Sequence, residues 1–164
     1  MLVRFKRLHP DAVVPFKKYP EDFCYDVVAT SEEQIAPNVW KYGIGLAFEI
    51  QGGPEDLVIK NEFGKEFLRI PQGREVNVSL DLRPRSSIYK TGMVLSNAVG
   101  TVDELYRGEV SAVFYHVFTE MPRYRVGDRI GQIKLGITLP LEFEEVDELG
   151  QTARGDGGYG STGR

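Results

Sequence analysis

The chain contains a single cysteine, Cys24, and only two histidines among its 164 residues. One cysteine excludes an intrachain disulfide. His9 and His116 lie far apart and have no metal-ligand spacing with Cys24, so we expect no zinc site. Residues 1–14 are charged and lack a long apolar run, which argues against a signal peptide or a membrane span. We therefore expect a soluble, cytoplasmic protein with no membrane partner.

The chain also lacks an excess of basic residues. Lys and Arg total 20 against 24 Asp and Glu, which gives a net charge of -4. Sequence-independent nucleic-acid binding needs a large basic surface, so we do not expect nucleic acid as a partner. An anionic ligand must instead meet a local cluster of arginines. The common signatures of serine hydrolases, P-loop proteins and dinucleotide-binding folds are not found.

Helical periodicity is scarce as well, because no stretch keeps a 3.6-residue pattern over three turns. One short helix remains possible. Residues 75–82 alternate as a strand should, with every second residue apolar: Val76, Val78, Leu80 and Leu82. Further strands are predicted over residues 43–50, 109–119, 131–137 and 142–146. Residues 109–119 are apolar on both faces, which is typical of a fully buried strand or of a subunit interface. Short strands with frequent turns favour a sandwich, jelly roll or barrel.

Two loops carry polar groups that suit a nucleotide. Arg85, Ser86 and Ser87 follow Pro84, which ends the strand before them, and this loop is either a phosphate grip or an ordinary turn. Residues 95–108 form a β-hairpin or a wide β-arch whose backbone can read the edge of a base. Asp103 in that segment is either a general base that holds a water or a turn former.

Three other places are candidates. Asp26 lies among apolar residues and needs partners there, so it either braces a site, holds a hydrated metal or makes a structural hydrogen bond. Gln132 can bind a phosphate or a water, and Asp128 and Arg129 before it can pair with each other at the surface. Residues 154–164 are rich in glycine and arginine, and can close over a flat anion rather than fold alone.

Taken together and in this order, the stretches FCYDVVA, PRSS, NAVGTVDELYRG, GDRIGQ and RGDGGYGSTG resemble the five motifs of the trimeric dUTP pyrophosphatases, or dUTPases. They extend from residue 23 to residue 163, and the third and fifth are highly specific. The resemblance implies an all-β, jelly-roll or distorted-barrel subunit in a homotrimer. It implies a β domain over residues 1–149 and a flexible glycine-rich arm over residues 150–164 that closes the active site.

The resemblance also implies hydrolysis of dUTP to dUMP and pyrophosphate by water attack on the α-phosphorus. Mg²⁺ would be bound by the triphosphate, with Asp26 supporting the site and reaching the metal through water. Asp103 would be the catalytic aspartate, and Tyr106 would lie beneath the deoxyribose. The remaining substrate-binding residues would read uracil, hold phosphates or belong to the closing arm; they are Arg85, Ser86, Ser87, Asn97, Gly100, Thr101, Val102, Gln132, Arg154, Tyr159, Gly160 and Ser161.

Two other functions remain open at this point. The related dCTP deaminases should carry a glutamate about ten residues beyond the aspartate, where this chain has Val113. A non-catalytic nucleotide-binding regulator should lack the aspartate or the arginines, but Asp103, Arg85 and Arg154 are all present. Residues 51–73 are longer than the family pattern, and we expect an added hairpin there.

Overall fold

The computed structural model describes residues 2–51, 57–60, 64–70, 77–139 and 141–157. The secondary structure within them is almost entirely strand, in agreement with the all-β prediction. The strands are β1 Leu2–Arg7, β2 Tyr25–Val28, β3 Ser31–Ala36, β4 Val39–Gly43, β5 Leu46–Gln51, β6 Leu57–Lys60, β7 Glu66–Ile70, β8 Asn77–Arg83, β9 Met93–Leu95, β10 Gly100–Asp103, β11 Ser111–His116 and β12 Arg129–Thr138. A short 3₁₀ helix, Ser86–Lys90, joins β8 to β9.

Two antiparallel four-stranded sheets form the body of the protein. The first, the β8 sheet, has the order β10-β8-β12-β2, and the second, the β11 sheet, has the order β3-β4-β11-β9. β1 pairs separately with β5, and β6 with β7. Buried side chains from both large sheets belong to one hydrophobic cluster, which includes Leu82 and Ile130 from the first and Tyr42 and Phe114 from the second. The molecule is thus a sandwich with a shared core, as period-2 patterns favour.

β8 shows how the sequence pattern produces this packing. Val78, Leu80 and Leu82 are buried, whereas the residues between them face the other side of the sheet. That outer face carries Asp81, which accepts a hydrogen bond from Ser79 and contacts Lys134 Nζ at 3.2 Å. Burial of Asp81 acts to raise its pKa, but the hydrogen bonds from Lys134 and Ser79 outweigh burial and lower it. The predicted alternation is confirmed for these positions, and Val76 lies outside the described residues.

Three strand predictions need correction. The predicted strand over residues 43–50 is two strands, because Gly45 has a φ of 67° and interrupts the ladder between β4 and β5. Residues 142–146 form no strand and are exposed. Of the two interpretations of β11, full burial within the chain is wrong, since Ala112 and Phe114 enter the core while Tyr115 is 51% exposed, and a subunit interface stays a prediction. Apolar runs predicted strands well only where a neighbouring strand existed to pair with them.

The extra segment between β5 and β8 contains the hairpin predicted for it. β6 and β7 pair antiparallel, with Leu57 opposite Ile70. Among the described residues we find no helix long and apolar enough to pass through a lipid bilayer.

The chain crosses between the two large sheets around β10. β9 pairs with β11 in one sheet, whereas β10 pairs with β8 in the other. Of the two predicted arrangements, the wide β-arch is therefore correct and the hairpin is wrong. The arch leaves the β11 sheet after Leu95 and returns to it at Ser111.

Candidate active site

The arch encloses a pocket of about 200 Å³, called here the arch pocket. Most of the predicted nucleoside-binding residues line it, together with four residues that the sequence did not predict as part of a site. The lining residues are Leu82, Asn97, Gly100, Thr101, Val102, Asp103, Tyr106, Glu109, Val110 and Ser111. Asp103 is exposed at the end of β10, so its carboxylate can reach a water or a ligand.

The turn into the arch depends on an unusual backbone conformation. Ala98 has a φ of 57°, in the left-handed region that residues with a Cβ rarely occupy. The turn lets Ala98 N donate to Leu95 O at 3.3 Å, and it brings Asn97 and Gly100 to the same pocket. Strained residues of this kind are frequent at functional sites.

A second pocket of about 370 Å³, called here the cationic pocket, lies near the start of β2. Its lining includes four cationic side chains, Lys17, Lys18, Arg85 and Arg129, and two carboxylates. Four positive charges against two negative ones leave a local charge of +2, although the whole chain carries -4. The local positive charge therefore favours an anion in this pocket, although the protein as a whole is negatively charged.

Asp26 lines the cationic pocket and contacts two arginines. Arg85 Nε donates to Asp26 Oδ1 at 2.8 Å, and Arg129 Nη1 donates to Asp26 Oδ2 at 3.0 Å. The Asp26 side chain is only 15% exposed, so these ion pairs are partly shielded from water. Asp26 thus holds both guanidinium groups at fixed positions on the pocket wall.

This arrangement corrects one sequence interpretation. Arg129 does not pair with Asp128, whose Oδ2 instead accepts from Arg125 N at 2.7 Å in the turn before β12. That turn is made possible by Gly127, which has a φ of 90°. Arg129 is free to reach across to Asp26 because β12 pairs with β2.

Strand pairing places the two pockets on the same sheet. Gln132 on β12 lies opposite Asp26 on β2 and also opposite Arg83 on β8, and its side chain donates to Pro84 O at 3.3 Å. Gly100 on β10 lies opposite Leu82, the neighbour of Arg83. Strands lie about 4.8 Å apart, so the pockets are separated by roughly 10–15 Å. Among the described residues, none lines both pockets.

Some predicted site residues lie apart from these pockets. Ser86 and Ser87 begin the 3₁₀ helix, and Ser87 Oγ accepts a long hydrogen bond from Arg85 Nη1 at 3.4 Å. Arg154 Nε donates to Gly157 O at 2.9 Å within the exposed C-terminal segment, and Arg154 lines neither pocket. The other predicted arm residues, Tyr159, Gly160 and Ser161, lie outside the described residues.

The pockets also contain residues that the sequence reasoning missed. Lys17 and Lys18 precede Asp26 in the stretch FKKYP, where two cations flanked by aromatic residues gave a usable signal. Lys17 Nζ lies 4.4 Å from the centre of the Tyr25 ring. Arg129 and Glu109 gave no local signal, because their roles depend on partners that are distant in sequence.

Residues 74–163 match the family model described as dUTPase. This chain belongs to the dUTPase family. The deoxyuridine 5'-triphosphate nucleotidohydrolase of Nautilia profundicola is 32% identical to this dUTPase-family chain over the whole of both chains. The enzyme of the same name from Wolinella succinogenes is 33% identical, covering 100% of this chain and 95% of the relative.

Solved structures show the same fold. A variant of the dUTPase from Staphylococcus bacteriophage 80alpha, with dUpNHpp, aligns with 99% of each chain at a TM-score of 0.67 and 17% identity. A variant of the dUTPase from phage phi11 of S. aureus, in which a structural Mg(II) ion is coordinated, covers 92% of this chain at a TM-score of 0.62 and 16% identity. The dUTPase fold is therefore shown for this chain.

The donor groups of the cationic pocket determine how a magnesium ion fits there. Among the described residues no group of three or more His, Cys, Asp or Glu could form a metal cage. Each oxygen of Asp26 already accepts from an arginine, but a carboxylate offers about four acceptor positions in total. Mg²⁺ commonly keeps several waters and binds mainly substrate phosphates. The acceptor positions left on Asp26 are compatible with an ion of that kind, whose waters would donate hydrogen bonds to its carboxylate.

Proposed function

We propose that the protein hydrolyses dUTP to dUMP and pyrophosphate. One observation carries the proposal: Asp26, Arg85 and Gln132, from three distant stretches of the chain, meet in a pocket of net positive charge. That pocket lies on the same sheet as the arch pocket with Asp103 and Asn97. A nucleoside triphosphate needs two such sites, one for the nucleoside and one for the phosphates, and family membership supports this substrate.

In the proposed reaction, the side chains mainly position the substrate. Asp103 takes a proton from a water as the water oxygen forms a bond to the α-phosphorus. The bond from that phosphorus to the bridging oxygen breaks, and pyrophosphate leaves. A general base of this kind contributes about 10²–10⁴-fold. Mg²⁺ bound to the triphosphate would neutralise part of its charge.

Substrate selection is proposed to occur in the arch pocket. Asn97 and the backbone of Gly100, Thr101 and Val102 would read the uracil edge, so that cytosine leaves buried polar groups unpaired. Tyr106 would lie beneath the deoxyribose. Arg85, Ser86, Ser87 and Gln132 would bind phosphates, and Asp26 would keep Arg85 in place.

We also propose a homotrimer with active sites shared between subunits. The two pockets of one chain are separate, so a neighbouring subunit can bring its own cationic pocket to each arch pocket. The segment after β12 supports this proposal, because Leu141, Phe143 and Leu149 are 73%, 92% and 85% exposed. A neighbouring subunit that covers this segment would bury these apolar side chains.

The division into a β domain over residues 1–149 and a closing arm over residues 150–164 is part of the same proposal. Within this arm, which includes Gly160, Arg154 and Ser161 would clasp phosphates and Tyr159 would stack on uracil. Closure of the arm would exclude water from the reaction. In a cytoplasmic setting the enzyme would limit uracil in DNA and supply dUMP for dTMP synthesis.

A nucleotide assay tests the proposal. Purified protein with Mg²⁺ should release pyrophosphate from dUTP and much less from dCTP, dTTP or UTP. Asp103→Asn should lower kcat by about 10²-fold or more while dUTP binding is largely retained. Binding of dUTP without pyrophosphate release would indicate a regulator instead, and ammonia from dCTP would indicate a deaminase.

A further inference from the structure

Glu109 lines the arch pocket, two residues before the arch returns to the β11 sheet. Its Oε1 accepts a hydrogen bond from Gly45 N at 2.8 Å. The carboxylate also lies against Gly43, where a Cβ would overlap Oε1. The side chain therefore occupies a slot in the break between β4 and β5 that only glycines leave open.

The anchor for this carboxylate is rigid. Gly45 has a φ of 67°, and a Cβ there would meet His9, Ala12 and Thr30 at 2.8–3.0 Å. Gly45 O also accepts from Leu8 N at 2.8 Å. Gly45 N is consequently held in one position by the surrounding structure.

The main-chain carbonyl of Glu109 contacts Tyr106, whereas its side chain contacts Gly45. Tyr106 OH donates to Glu109 O at 3.2 Å, and Tyr106 N donates to Asp103 O at 3.0 Å. A Cβ at Gly108 would overlap the Tyr106 hydroxyl, so the ring lies directly against the turn. A continuous path thus runs from the rigid Gly45, through Glu109, to the ring of Tyr106.

We infer that Glu109 is a positioning residue that fixes the Tyr106 ring and thereby sets the preference for deoxyribose over ribose. This inference rests on the proposed function of Tyr106 beneath the sugar. A ring that cannot move back leaves no space for a 2′-hydroxyl group. When the anchor is lost, the turn over residues 104–110 relaxes, the ring recedes, and a ribose fits.

Two substitutions at Glu109 test the inference. Glu109→Ala removes the acceptor for Gly45 N, whereas Glu109→Gln keeps an oxygen at the same position. The measured quantity is kcat/KM for dUTP divided by kcat/KM for UTP. We expect this ratio to fall at least about tenfold in Glu109→Ala. A pocket that rejects one added hydroxyl group reaches a selectivity of roughly 100-fold, so a fall of this size is attainable. Glu109→Gln should restore most of the ratio.

If Glu109 only stabilises the fold, its substitution gives a different result. If Glu109→Ala lowers kcat/KM for dUTP and UTP in parallel and leaves their ratio unchanged, the inference is wrong. Glu120→Ala is the matched control, because Glu120 is an exposed carboxylate outside both pockets. If Glu109→Ala does not fold, Tyr106→Phe cuts the same path at the hydroxyl and should also lower the ratio; an unchanged ratio there would overturn the inference.

The inference on Glu109 can be tested even if the protein does not hydrolyse dUTP. If the wild-type protein releases no pyrophosphate from dUTP, the proposed function fails, and the preference is then measured as calorimetric affinity for dUMP against UMP. A wild-type protein with equal affinity for both nucleotides would overturn the inference on Glu109. A preference that Glu109→Ala abolishes and Glu109→Gln retains would support it.

Discussion

Single residues at positive φ determine how the functional loops are shaped. Gly45 and Gly127 occupy the left-handed region without a steric penalty, because glycine has no Cβ. Ala98 occupies the same region at the entrance to the arch, where an L-residue is strained by roughly 1–2 kcal/mol. The arch therefore keeps strain at one residue next to the predicted uracil-reading backbone.

The strain at Ala98 predicts an unusual effect of glycine. Ala98→Gly should raise the free energy of unfolding by up to about 1 kcal/mol. Glycine stabilises the unfolded state by about 0.4–1 kcal/mol, because it has more conformational entropy there, but the relief of strain in the folded state is larger. Ala98→Val should lower it. Chemical denaturation measures both. Ala36→Gly, in strand β3 without positive φ, is the control and should be destabilising by about 0.5–1 kcal/mol. A loss of stability in Ala98→Gly would contradict this interpretation.

At the scale of elements, cross-strand ion pairs hold functional and structural groups in place. β2 and β12 bring Asp26 and Arg129 together, and Asp26 then fixes Arg85 from the loop after β8. A second network joins β3 to residues 123–125, where Glu32 Oε1 accepts from Arg123 at 3.0 Å and Arg125 at 3.3 Å. Arg123 also stacks 3.5 Å above the Trp40 ring.

Arg129 should matter to substrate binding although it was not predicted as a ligand. In Arg129→Ala, Asp26 keeps only Arg85 as a charged partner, and the phosphate-binding guanidinium loses its fixed geometry. We expect kcat/KM for dUTP to fall about 10- to 100-fold, equivalent to about 1.5–3 kcal/mol for a charged hydrogen bond. The control is Arg4→Ala, since Arg4 pairs with Glu49 at 3.6 Å and both side chains are exposed. Equal activity of the two variants would exclude this role.

The Glu32 network predicts how stability depends on pH. The hydrogen bond from Arg123 lowers the pKa of Glu32 below its usual 4.5, despite the opposing effect of burial. A lowered pKa in the folded state gives stability that is present above pH 4.5 and is lost as the pH falls through the folded value. The pairs at Asp81, whose pKa is also lowered, act in the same direction.

We therefore expect Glu32→Gln to lower the free energy of unfolding at pH 7 by about 1.5–3 kcal/mol. The difference from wild type should shrink as the pH falls below 4.5, because Glu32 then becomes protonated. Denaturation at a series of pH values measures this. Glu33→Gln, its exposed neighbour on β3, should leave the profile unchanged. A constant difference at all pH values would show that charge is not the cause.

At the scale of the whole molecule, one chain presents two incomplete halves of the proposed site and an exposed C-terminal segment. The hydrogen bonds that fix residues 152–157 lie within the segment itself, as between Arg154 and Gly157. Among the described residues, those in the hydrophobic core cluster all come from outside this segment. Function is thus expected to depend on the segment more than folding does.

Deletion of residues 151–164 tests that expectation. The shortened protein should keep the thermal midpoint and the assembly state of the full chain, as measured by calorimetry and light scattering. Its kcat/KM for dUTP should fall by roughly 10²-fold or more, because the substrate is no longer closed off and oriented. Full activity after deletion would show that the arm has no part in catalysis.

The sequence by itself determined the all-β class, the alternation of β8 and the order of the five motif-like stretches. These features are local, since they depend on side-chain period and on the conformational preferences of glycine and proline. Only the tertiary structure decided that the segment around β10 is an arch, that Arg129 pairs with Asp26 and that Glu109 reaches Gly45. Each of these contacts joins residues far apart in the chain. No local pattern encodes them, because they depend on which strands pair and in which register.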